Sequence, residues 1–522
     1  MAEHYDVIVV GGGSAGCVAA ARLSENPARK VLLLEAAPDP YPVPDIVANS
    51  MRTYELLLGG GYVDMYPIKR HADQSTRFLL AGKVMGGGSS VNMTAAIRPI
   101  ALDAASWVRA GNPDWSWEKI LPVLRRLEHD DDYPDHPLHG KGGPLFMKRP
   151  SSFETLSPLP AALLEAAAKL GIPPCPDTNA PNPMGVAIFP RTVKNGVRQS
   201  TTIAYLNPAR SRPNLLIRSE APVVGFDLSG DRVTGVRYRS GGETRTVSGE
   251  RIVLCAGVYK SPQILMLSGI GHDDELKRHG IPLRHRLAGV GANYHDHGTV
   301  YMTYESLKAG DAIAYRPSVA GAGTLTVGVL AKSDPGREFI DLHILLRPPI
   351  EIAGDNTLLA FSVNLLEQRR RGRVYLNSPD PGEMVGIDPQ TFEDEDDLKA
   401  VVSGMGTVQQ LVTTPPLSRL CGPIVLPAAD SDWGRYARTT VDSYFHGSGT
   451  CVMGPVSDPM AVVSQRLKVH GLANLWVADA SILPSVTHGN TNITCIMIGE
   501  RVADFVVPAA TSVAQARAVA AP

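Results

Sequence analysis

Three glycines near the N-terminus have the spacing of a nucleotide-binding turn. Gly11, Gly13 and Gly16 stand in the sequence GGGSAG, and Glu35 follows Gly13 by 22 residues. In such a turn the first glycine permits a tight bend, the second lets backbone N–H groups approach a pyrophosphate, and the third lets helix and strand pack closely. A carboxylate at the position of Glu35 accepts hydrogen bonds from ribose hydroxyls. The predicted chemistry is therefore the binding of an adenosine dinucleotide of the NAD or FAD kind.

The flanking residues predict the elements that must position this turn. Tyr5 to Val10 predicts a strand, Cys17 to Leu23 predicts a helix, and Lys30 to Leu34 predicts a second buried strand that ends at Glu35. A GxGxxG match alone is weak in a chain with 50 glycines. Its position between a strand and a helix makes it specific, and the segment is predicted to be a β-α-β unit.

A second glycine-rich segment bears on which dinucleotide is bound. It runs from Gly82 to Asn92 with the sequence GKVMGGGSSVN, and such glycines allow backbone to approach a long ligand closely. No second GxGxxG occurs in the chain, so no separate site for NAD(P)H beside a flavin is indicated. The fingerprint by itself leaves NAD and FAD open.

Other reactive side chains form weaker patterns. The His-Asp-His sequence at 295–297 could suggest a metal site, but no third ligand at metal spacing accompanies it, so a structural role is predicted and no metal is expected. Ser261 and Ser448 lie near glycines but outside any G-x-S-x-G sequence, which argues against a serine hydrolase. The basic run at 369–371 is predicted to be a solvated hairpin.

Charge and composition exclude several classes of protein. The 522 residues include 50 basic and 52 acidic side chains, so no strong field attracts nucleic acid. The longest apolar stretches, such as 159–164, are much shorter than the ~20 residues that span a bilayer. Six cysteines form no CxxC pair and are predicted to be reduced, buried thiols. No cationic segment precedes Tyr5, so a cytoplasmic protein without a signal peptide is predicted.

The pattern of the chain changes between about residues 300 and 378. Short stretches of period-two alternation predict an antiparallel sheet there, and they are Thr324 to Leu330, Asp341 to Leu346, Leu358 to Leu366 and Arg373 to Leu376. Strands typical of the first domain return at 251–255 and 474–477. Two interleaved domains are therefore predicted, with a loosely packed tail after Val507.

Seven separated motifs resemble, in order, those of the glucose-methanol-choline (GMC) flavoprotein oxidoreductases over essentially the whole chain. They are the fingerprint with Glu35, GKVMGGGSSVN ending at Asn92, HGKGGPL from His139, GVYKSPQILMLSGIG from Gly257, GVGANYHDH from Gly289, HGSGTCVMG from His446, and VADASILP with NTN between Val477 and Asn492. Among subgroups, GGGSSVNM at 86–93 and DDYPDHPLHGKGGPL at 131–145 are most similar to the bacterial 5-hydroxymethylfurfural oxidases.

The resemblance implies an α/β fold in which a Rossmann-like FAD-binding domain, of the p-hydroxybenzoate hydroxylase and GMC type, is interleaved with an antiparallel-sheet substrate domain. The FAD-binding parts are predicted at 1–155, 216–298 and 456–510. Substrate and cap elements are predicted at 156–215, the antiparallel substrate-binding sheet at 299–455, and a flexible tail at 511–522.

The resemblance also implies where FAD is bound. By position in the motifs, the FAD contacts are Gly11, Gly13, Ser14, Ala15, Gly16, Glu35, Gly87, Gly88, Asn92, Met93, Thr94, Val223, Asp479, Ala480 and Thr491. In this assignment Val223 meets the adenine through its backbone, and Thr491 lies beside the pyrimidine end of the flavin. Some family members attach FAD covalently through a histidine just before the asparagine of the GGxSSxN motif. Val91 occupies that position here, so non-covalent FAD is expected.

A catalytic pair follows from the same resemblance. Alcohol oxidation by a flavin needs a base for the hydroxyl proton while a hydride passes from carbon to flavin N5. Among 14 histidines the resemblance selects His446, whose type has an unperturbed pKa near ~6.5. The partner position is Asn490, whose amide can donate to the substrate oxygen and accept from its hydroxyl. His488 is the rival for that position.

Two aromatic residues precede the predicted base. Tyr444 and Phe445 are candidates for lining the substrate pocket, and Phe445 is favoured for contact with a ring-bearing alcohol.

The activity implied is the oxidation of a small aromatic or furanic primary alcohol to the aldehyde, with O2 reduced to hydrogen peroxide. The alternatives are a GMC dehydrogenase that uses a quinone or another non-O2 acceptor, a pyridoxine 4-oxidase-like enzyme, and a flavin-binding protein or lyase of this fold without redox turnover. The expected partners are the alcohol and the electron acceptor, with no nucleic acid and no membrane span.

Overall fold

A computed structural model of the protein describes residues 3–59, 61–68, 74–308, 327–352 and 356–507. The strands of its two large sheets are, in chain order, β1 (His4–Val10), β2 (Val31–Leu34), β3 (Pro174–Cys175), β4 (Gly185–Ile188), β5 (Leu215–Arg218), β6 (Val223–Ser229), β7 (Arg232–Ser240), β8 (Glu243–Leu254), β9 (Gly298–Ser306), β10 (Val327–Ala331), β11 (Leu342–Leu346), β12 (Ile350–Ile352), β13 (Asn356–Leu365), β14 (Cys421–Leu426), β15 (Asp442–Ser443) and β16 (Leu475–Val477).

The α-helices of the described residues are, in chain order, α1 (Ser14–Leu23), α2 (Asp45–Ala48), α3 (Thr53–Leu58), α4 (Gly88–Val91), α5 (Ala101–Arg109), α6 (Trp117–Leu127), α7 (Pro158–Lys169), α8 (Asn207–Ala209), α9 (Gly257–Leu267), α10 (Asp273–Arg278), α11 (Glu395–Thr413), α12 (Trp433–Thr440) and α13 (Thr491–Val506). The predicted tail after Val507, including 511–522, lies outside the described residues, as do residues 324–326 of one predicted strand.

The first large sheet is built around β1. Its order is β5-β2-β1-β8-β7-β6, with β16 also paired to β8. β1 runs parallel to β2 and β8, and β8 runs parallel to β16, so the residues that follow these strands meet at one edge of the sheet. The predicted β-α-β unit is present as β1, α1 and β2.

The buried strands and helices of this half form one core. The β2 side chains are all buried, as expected for a parallel strand covered on both faces. Helices α1 and α13 lie so close together that a Cβ at Gly499 would be only 2.5 Å from the Ala15 carbonyl oxygen. The C-terminal helix is thereby packed against the helix that follows the glycine fingerprint.

The second large sheet has the order β14-β9-β13-β11-β10-β4-β3, with β12 beside β13 and β15 beside β9. Its pairs are antiparallel except for β3 with β4. Alternate residues such as Val300, Ile344 and Val363 pack with α7 and α11 in one apolar cluster. The residues between them, including Thr299 and His343, therefore occupy the opposite face of the sheet.

These sheets confirm the predicted α/β class with an antiparallel second sheet. The first sheet takes strands from residues 4–34, 215–254 and 475–477; the domain boundaries themselves stay a prediction. The basic run at 369–371 is exposed, but it is a loop instead of the predicted hairpin, because the Arg369 N–H donates to Asp397 in α11 at 2.9 Å.

All six cysteines are free thiols, five of them buried and Cys495 half-buried. Among the helices of the described residues, none combines the length and the apolar character that crossing a bilayer requires.

Candidate active site

The glycine fingerprint contains two kinds of glycine. Gly11 has a φ of +100°, and a Cβ there would lie 2.5 Å from the Cys255 carbonyl oxygen. A Cβ at Gly16 would lie 1.8 Å from the Gly11 carbonyl oxygen. Both positions therefore need glycine for the packing of the chain itself. At Gly13, by contrast, the nearest atom to a Cβ would be 4.0 Å away, so this residue borders open space.

The second glycine-rich segment packs directly on the fingerprint. The Gly86 N–H donates to the Gly12 carbonyl at 2.7 Å, and a Cβ at Gly87 would lie 2.9 Å from the Gly13 Cα. A Cβ at Gly88 would have nothing within 4 Å. The two loops thus form a cradle whose open part is bordered by Gly13 and Gly88.

Two helix N-termini meet beside this cradle. No side chain caps the start of α1 or of α13, so their first N–H groups are left for another acceptor. The Ser14 hydroxyl donates to Asn492 Oδ1 at 3.1 Å, which brings the first turns of the two helices together and places Ala15 and Thr491 in them. This arrangement suits a phosphate-containing ligand.

Glu35 lies at the other end of the cradle. Its carboxylate accepts the N–H groups of Gly12 at 2.5 Å and Ala37 at 2.7 Å, which leaves a lone pair on each oxygen for a ribose hydroxyl. Burial raises the pKa of Glu35 from its ordinary value. The Ala221 N–H donates to the Glu35 carbonyl at 2.8 Å, which brings Val223, the first residue of β6, into this region.

Two buried arginines support the segment from Asn92 to Thr94. Arg198 Nη1 donates to Asn92 Oδ1 at 2.9 Å, and Arg191 Nε donates to Thr94 Oγ1 at 2.9 Å. Arg191 also donates to the Met93 carbonyl. Thr94 has a φ of +60°, and these contacts hold the backbone in that uncommon conformation.

Asp479 links the C-terminal motif to α9. Its carboxylate accepts the Ser261 hydroxyl at 2.6 Å, the Gly257 N–H at 2.9 Å and the Ser481 N–H at 2.8 Å. Asp479 and Ala480 follow β16, at the same sheet edge as Gly11 and Glu35. The predicted cofactor residues are thus brought to one edge of the first sheet, where the open cradle fits an elongated dinucleotide.

The predicted catalytic pair is in direct contact. Asn490 Nδ2 lies 3.2 Å from His446 Nε2, and His446 is 8% exposed. Asn490 Oδ1 is buried, and no group of the described residues donates to it. The pair therefore offers an imidazole nitrogen and an amide oxygen side by side.

The 295–297 segment positions His446 from the other side. Asp296 Oδ1 accepts the His446 backbone N–H at 2.9 Å, and Asp296 Oδ2 accepts the Ser443 hydroxyl. His297 Nδ1 lies 2.9 Å from His446 Nδ1. Sequence reasoning assigned this segment only a structural role near the cofactor; the available signal was its three consecutive polar residues before a strand that proves to be buried.

The hydrogen bonds determine which nitrogen of His446 carries the proton. Asn490 Nδ2 donates to His446 Nε2, so in the neutral ring the proton is on Nδ1 and is donated to His297. Burial lowers the pKa of His446 to about 3. Burial, and then the neighbouring His446, hold the pKa of His297 well below its ordinary value. Both rings are neutral at physiological pH, with Nε2 of His446 ready to accept a proton.

His488 has different partners from those of Asn490. Its Nδ1 lies 2.7 Å from Asp103 and its Nε2 lies 3.5 Å from Glu367. Although burial opposes the charge, these carboxylates raise the pKa of His488 to about 10. The structure thus brings Asn490 to His446 and engages the rival histidine in ion pairs.

The two aromatic candidates differ in position. The Tyr444 ring centroid lies 4.4 Å from that of His446, whereas Phe445 is 45% exposed. Phe445 has a φ of +63°, and the chain turns there between the two neighbours. The aromatic side chain against the imidazole is Tyr444; contact of Phe445 with a ring-bearing alcohol stays a prediction.

A further histidine was missed in the sequence. His343 on β11 is buried, and neither of its ring nitrogens has a hydrogen-bond partner among the described residues. Burial lowers its pKa to about 3. The only signal in the sequence was the alternation of side chains along β11, which places His343 on the face opposite the apolar cluster. Within the described residues, no three His, Cys, Asp or Glu side chains are arranged to hold a metal ion.

Comparisons with known proteins agree in one family. Residues 5–299 and 368–499 match two family models, both described as GMC oxidoreductase. Human mitochondrial choline dehydrogenase is 33% identical over 97% of this chain and 90% of its own length. An alcohol dehydrogenase [acceptor] of Pseudomonas putida is 31% identical over 96% of both chains.

Solved structures show the same fold. Pyridoxine 4-oxidase from Mesorbium loti has a TM-score of 0.89 and 27% identity over 96% of this chain and 98% of its own. A fungal aryl-alcohol oxidase has a TM-score of 0.82 and 22% identity over 97% of this chain and 99% of its own, and is similar in fold.

Proposed function

Because this chain belongs to the GMC oxidoreductase family, we propose that it oxidises a primary alcohol to an aldehyde at His446 and Asn490. The family acts on CH–OH donors with FAD. The single observation that carries the proposed site is the 3.2 Å contact between Asn490 Nδ2 and His446 Nε2, beside an amide oxygen with no donor in the described residues.

The cofactor would lie in the cradle between the two glycine loops, with Glu35 at its adenosine end, the N-terminus of α1 at its pyrophosphate, and the N-terminus of α13, with Thr491, at the pyrimidine end of the flavin. When bound, FAD supplies the acceptor for the hydride that leaves the alcohol carbon. Val91 stands where a covalent link would need a histidine, so the cofactor is held non-covalently. Acid denaturation is expected to release free flavin into the supernatant, and flavin that stays with the precipitate would contradict this assignment.

The chain's own residues handle the proton. The hydroxyl of the bound alcohol would replace the Asn490 amide as the donor to His446 Nε2, and the released Asn490 N–H would then donate to the alcohol oxygen and orient it. As the O–H proton moves to Nε2 and the hydride leaves carbon, the C–O bond becomes a carbonyl. His446 then carries two N–H groups, and the Nδ1 proton remains hydrogen-bonded to His297. Because the ring is neutral before the reaction, it can act as the base.

The finer assignment is an oxidase of small aromatic or furanic alcohols that passes electrons to O2 and forms hydrogen peroxide. Its support is the motif resemblance and the structural likeness to pyridoxine 4-oxidase. The second candidate is a dehydrogenase with a quinone or another acceptor, which the similarity to choline dehydrogenase and to the P. putida alcohol dehydrogenase [acceptor] favours. A cytoplasmic location remains a prediction.

The decisive experiment is anaerobic mixing of the flavin-loaded protein with furanic, benzylic, pyridoxine and aliphatic alcohols. Bleaching of the oxidised flavin spectrum is expected with at least one aromatic or furanic alcohol. His446→Ala should lower the rate of that bleaching by roughly 10² or more, whereas His272→Ala, at an exposed histidine, should not. A spectrum unchanged by every alcohol would refute the function.

The acceptor is identified in a second measurement on the same enzyme. With an alcohol that bleaches the flavin, re-oxidation by O2 with stoichiometric hydrogen peroxide supports the oxidase. Re-oxidation only by a quinone dye supports the dehydrogenase.

A further inference from the structure

Arg347 lies on the face of the second sheet that carries His343. On β11 the alternate residues Leu342, Ile344 and Leu346 pack into the apolar cluster with α7 and α11. His343 and Leu345 therefore point the other way, and Arg347, whose N–H donates to the Ala360 carbonyl of β13 at 2.8 Å, continues their row. From His343 to Arg347 this row is about 13 Å long.

Within the described part of the chain, the Arg347 guanidinium has phenols around it and no carboxylate. Its Nη2 donates to the Tyr54 hydroxyl at 3.2 Å, and its Cζ lies 5.8 Å from the Tyr301 ring centroid. Among the described residues no Asp or Glu oxygen lies within 4.0 Å of it. A guanidinium has five N–H donors, so most of its hydrogen-bonding capacity is left for another group.

The guanidinium and the catalytic imidazole are linked by Tyr444. Tyr444 packs against the apolar cluster that contains Leu345, the residue between His343 and Arg347 in the row, and the Tyr444 ring centroid lies 4.4 Å from that of His446. Tyr54 is 37% exposed, so the Arg347 end of the row is close to solvent while the His446 end is buried. This face of the sheet therefore carries Tyr444, which contacts His446, and Arg347, which lies nearer to solvent.

Two other arginines near the second sheet have carboxylate partners. Arg337 contacts Asp341 at 2.8 Å and Glu367 at 3.0 Å, and Arg369 lies near the carboxylates at the start of α11. A partly buried cation without a counter-ion is unfavourable. Arg347 has no such partner among the described residues and lies on the face that carries Tyr444, so a ligand there would balance its charge.

We propose that Arg347, flanked by Tyr54 and Tyr301, binds a carboxylate of the substrate. The inference rests on the proposed alcohol oxidation and specifies its substrate class: an elongated primary alcohol with a carboxylate at the end opposite the hydroxyl. One planar guanidinium matches a carboxylate with two parallel hydrogen bonds. A single charge also balances a monoanion, which favours a carboxylate over a phosphate dianion.

The test compares pairs of alcohols that differ only in the carboxylate. Benzyl alcohol is paired with 4-(hydroxymethyl)benzoate, and 4-biphenylmethanol with 4'-(hydroxymethyl)biphenyl-4-carboxylate, and kcat/KM is measured for each. The wild-type enzyme should prefer the carboxylate of at least one pair by roughly 10- to 100-fold, the size expected for a hydrogen bond to a charged group. The preferred pair also reports the length of the substrate.

Variants locate the preference at Arg347. Arg347→Met should bring the ratio of the two kcat/KM values close to one, mainly by raising the KM of the carboxylate alcohol. Arg347→Lys should restore part of the preference. Arg373→Met is the matched control, because Arg373 also stacks on a tyrosine, Tyr375, at 5.3 Å, but lies in a separate pair of short strands, Arg373–Tyr375 and Gly386–Asp388. A ratio that Arg347→Met leaves intact would overturn the proposal.

Two measurements on wild-type enzyme keep the proposal testable if Arg347→Met does not fold. The KM of the carboxylate alcohol should rise with ionic strength while that of its neutral parent stays level, and an unreactive arylcarboxylate should perturb the flavin spectrum on binding. If the charged and the neutral alcohols give equal kcat/KM values and the same dependence on ionic strength, the carboxylate site is refuted and the proposed function is not. Failure of all alcohols to bleach the flavin would instead refute the proposed function.

Discussion

His446 acts within a chain of hydrogen bonds whose order determines where its proton lies. Asn490 donates to Nε2 and His297 accepts from Nδ1. His297 Nδ1 accepts from His446, so the proton of the neutral His297 ring is on Nε2. That Nε2–H group has no acceptor among the described residues. We infer that His297 is a positioning residue: it holds the proton of His446 on Nδ1, so that the Nε2 lone pair accepts from Asn490 in the free site and from the hydroxyl when an alcohol is bound.

Replacing His297 tests this positioning role. His297→Phe removes the acceptor for the His446 Nδ1 proton, and the rate of flavin reduction should fall about 10- to 100-fold, the cost of one lost buried hydrogen bond. The KM for the alcohol should change little. His297→Asn retains an acceptor oxygen and should recover part of the rate. Equal losses in both variants, or a loss confined to KM, would contradict the role.

The low pKa of His446 predicts the pH profile. Because burial lowers that pKa to about 3, the ring is neutral throughout the physiological range. In the flavin-loaded enzyme, kcat/KM for a neutral alcohol should be level between about pH 5 and 9 and fall only in stronger acid. An ionisation near pH 6.5 in this profile that disappears in His297→Asn would contradict the prediction, because it would show that the His446–His297 pair takes up a proton in the physiological range.

At the scale of elements, the glycine turn combines two demands on one short segment. Gly11 and Gly16 are needed because strand, turn and helix α1 approach one another within van der Waals contact. Gly13 is not needed for that approach, since a Cβ there would meet nothing nearer than 4.0 Å. The turn therefore separates residues that hold the fold from one that leaves room for the cofactor.

Two alanine substitutions should separate these demands. Gly16→Ala places a Cβ 1.8 Å from the Gly11 carbonyl oxygen and should lower the free energy of unfolding by several kcal/mol, about the upper range for single substitutions. Gly13→Ala should leave apoprotein stability within about 1 kcal/mol and weaken FAD binding. Thermal unfolding of the apoproteins and flavin titration measure the two effects. Equal stability of the two variants would refute the distinction.

At the scale of the whole molecule, buried ion pairs connect distant segments. His139, from the HGKGGPL motif, lies 3.1 Å from Glu128, 3.2 Å from Asp130 and 3.1 Å from Asp177. Burial opposes its charge, but the carboxylates raise the pKa of His139 to about 10. This cluster ties the loop after α6 to the segment that leads into β4.

The stability from His139 should depend on pH in a defined direction. Its folded pKa, about 10, is above the unfolded value near ~6.5. The contribution is therefore complete below about pH 6.5 and is lost as the pH rises toward 10. His139→Gln should lower the free energy of unfolding by about 3–5 kcal/mol at pH 6 and by less at pH 9.5. His129→Gln, at a histidine whose side chain is 38% exposed, is the control, and a difference that grows with pH would contradict the ion-pair role.

The sequence alone determined the features that depend on neighbouring residues. The turn with Gly11, Gly13 and Gly16 is recognisable because spacing along the chain sets the geometry of a turn and its flanking strand and helix. Period-two alternation indicated the antiparallel sheet for the same reason. The family motifs selected His446 and Asn490, which the fold brings into contact.

Only the tertiary structure decided which distant side chains meet. His297 and His446 are 149 residues apart, and their contact depends on Asp296 holding the His446 backbone. Tyr444, and not Phe445, lies against His446 because of one backbone turn at Phe445, and Arg347 lies beside Tyr301 because of how β11, β13 and β9 are paired. Spacing in sequence carries no information on these contacts, because chain folding, and not local propensity, brings the residues together.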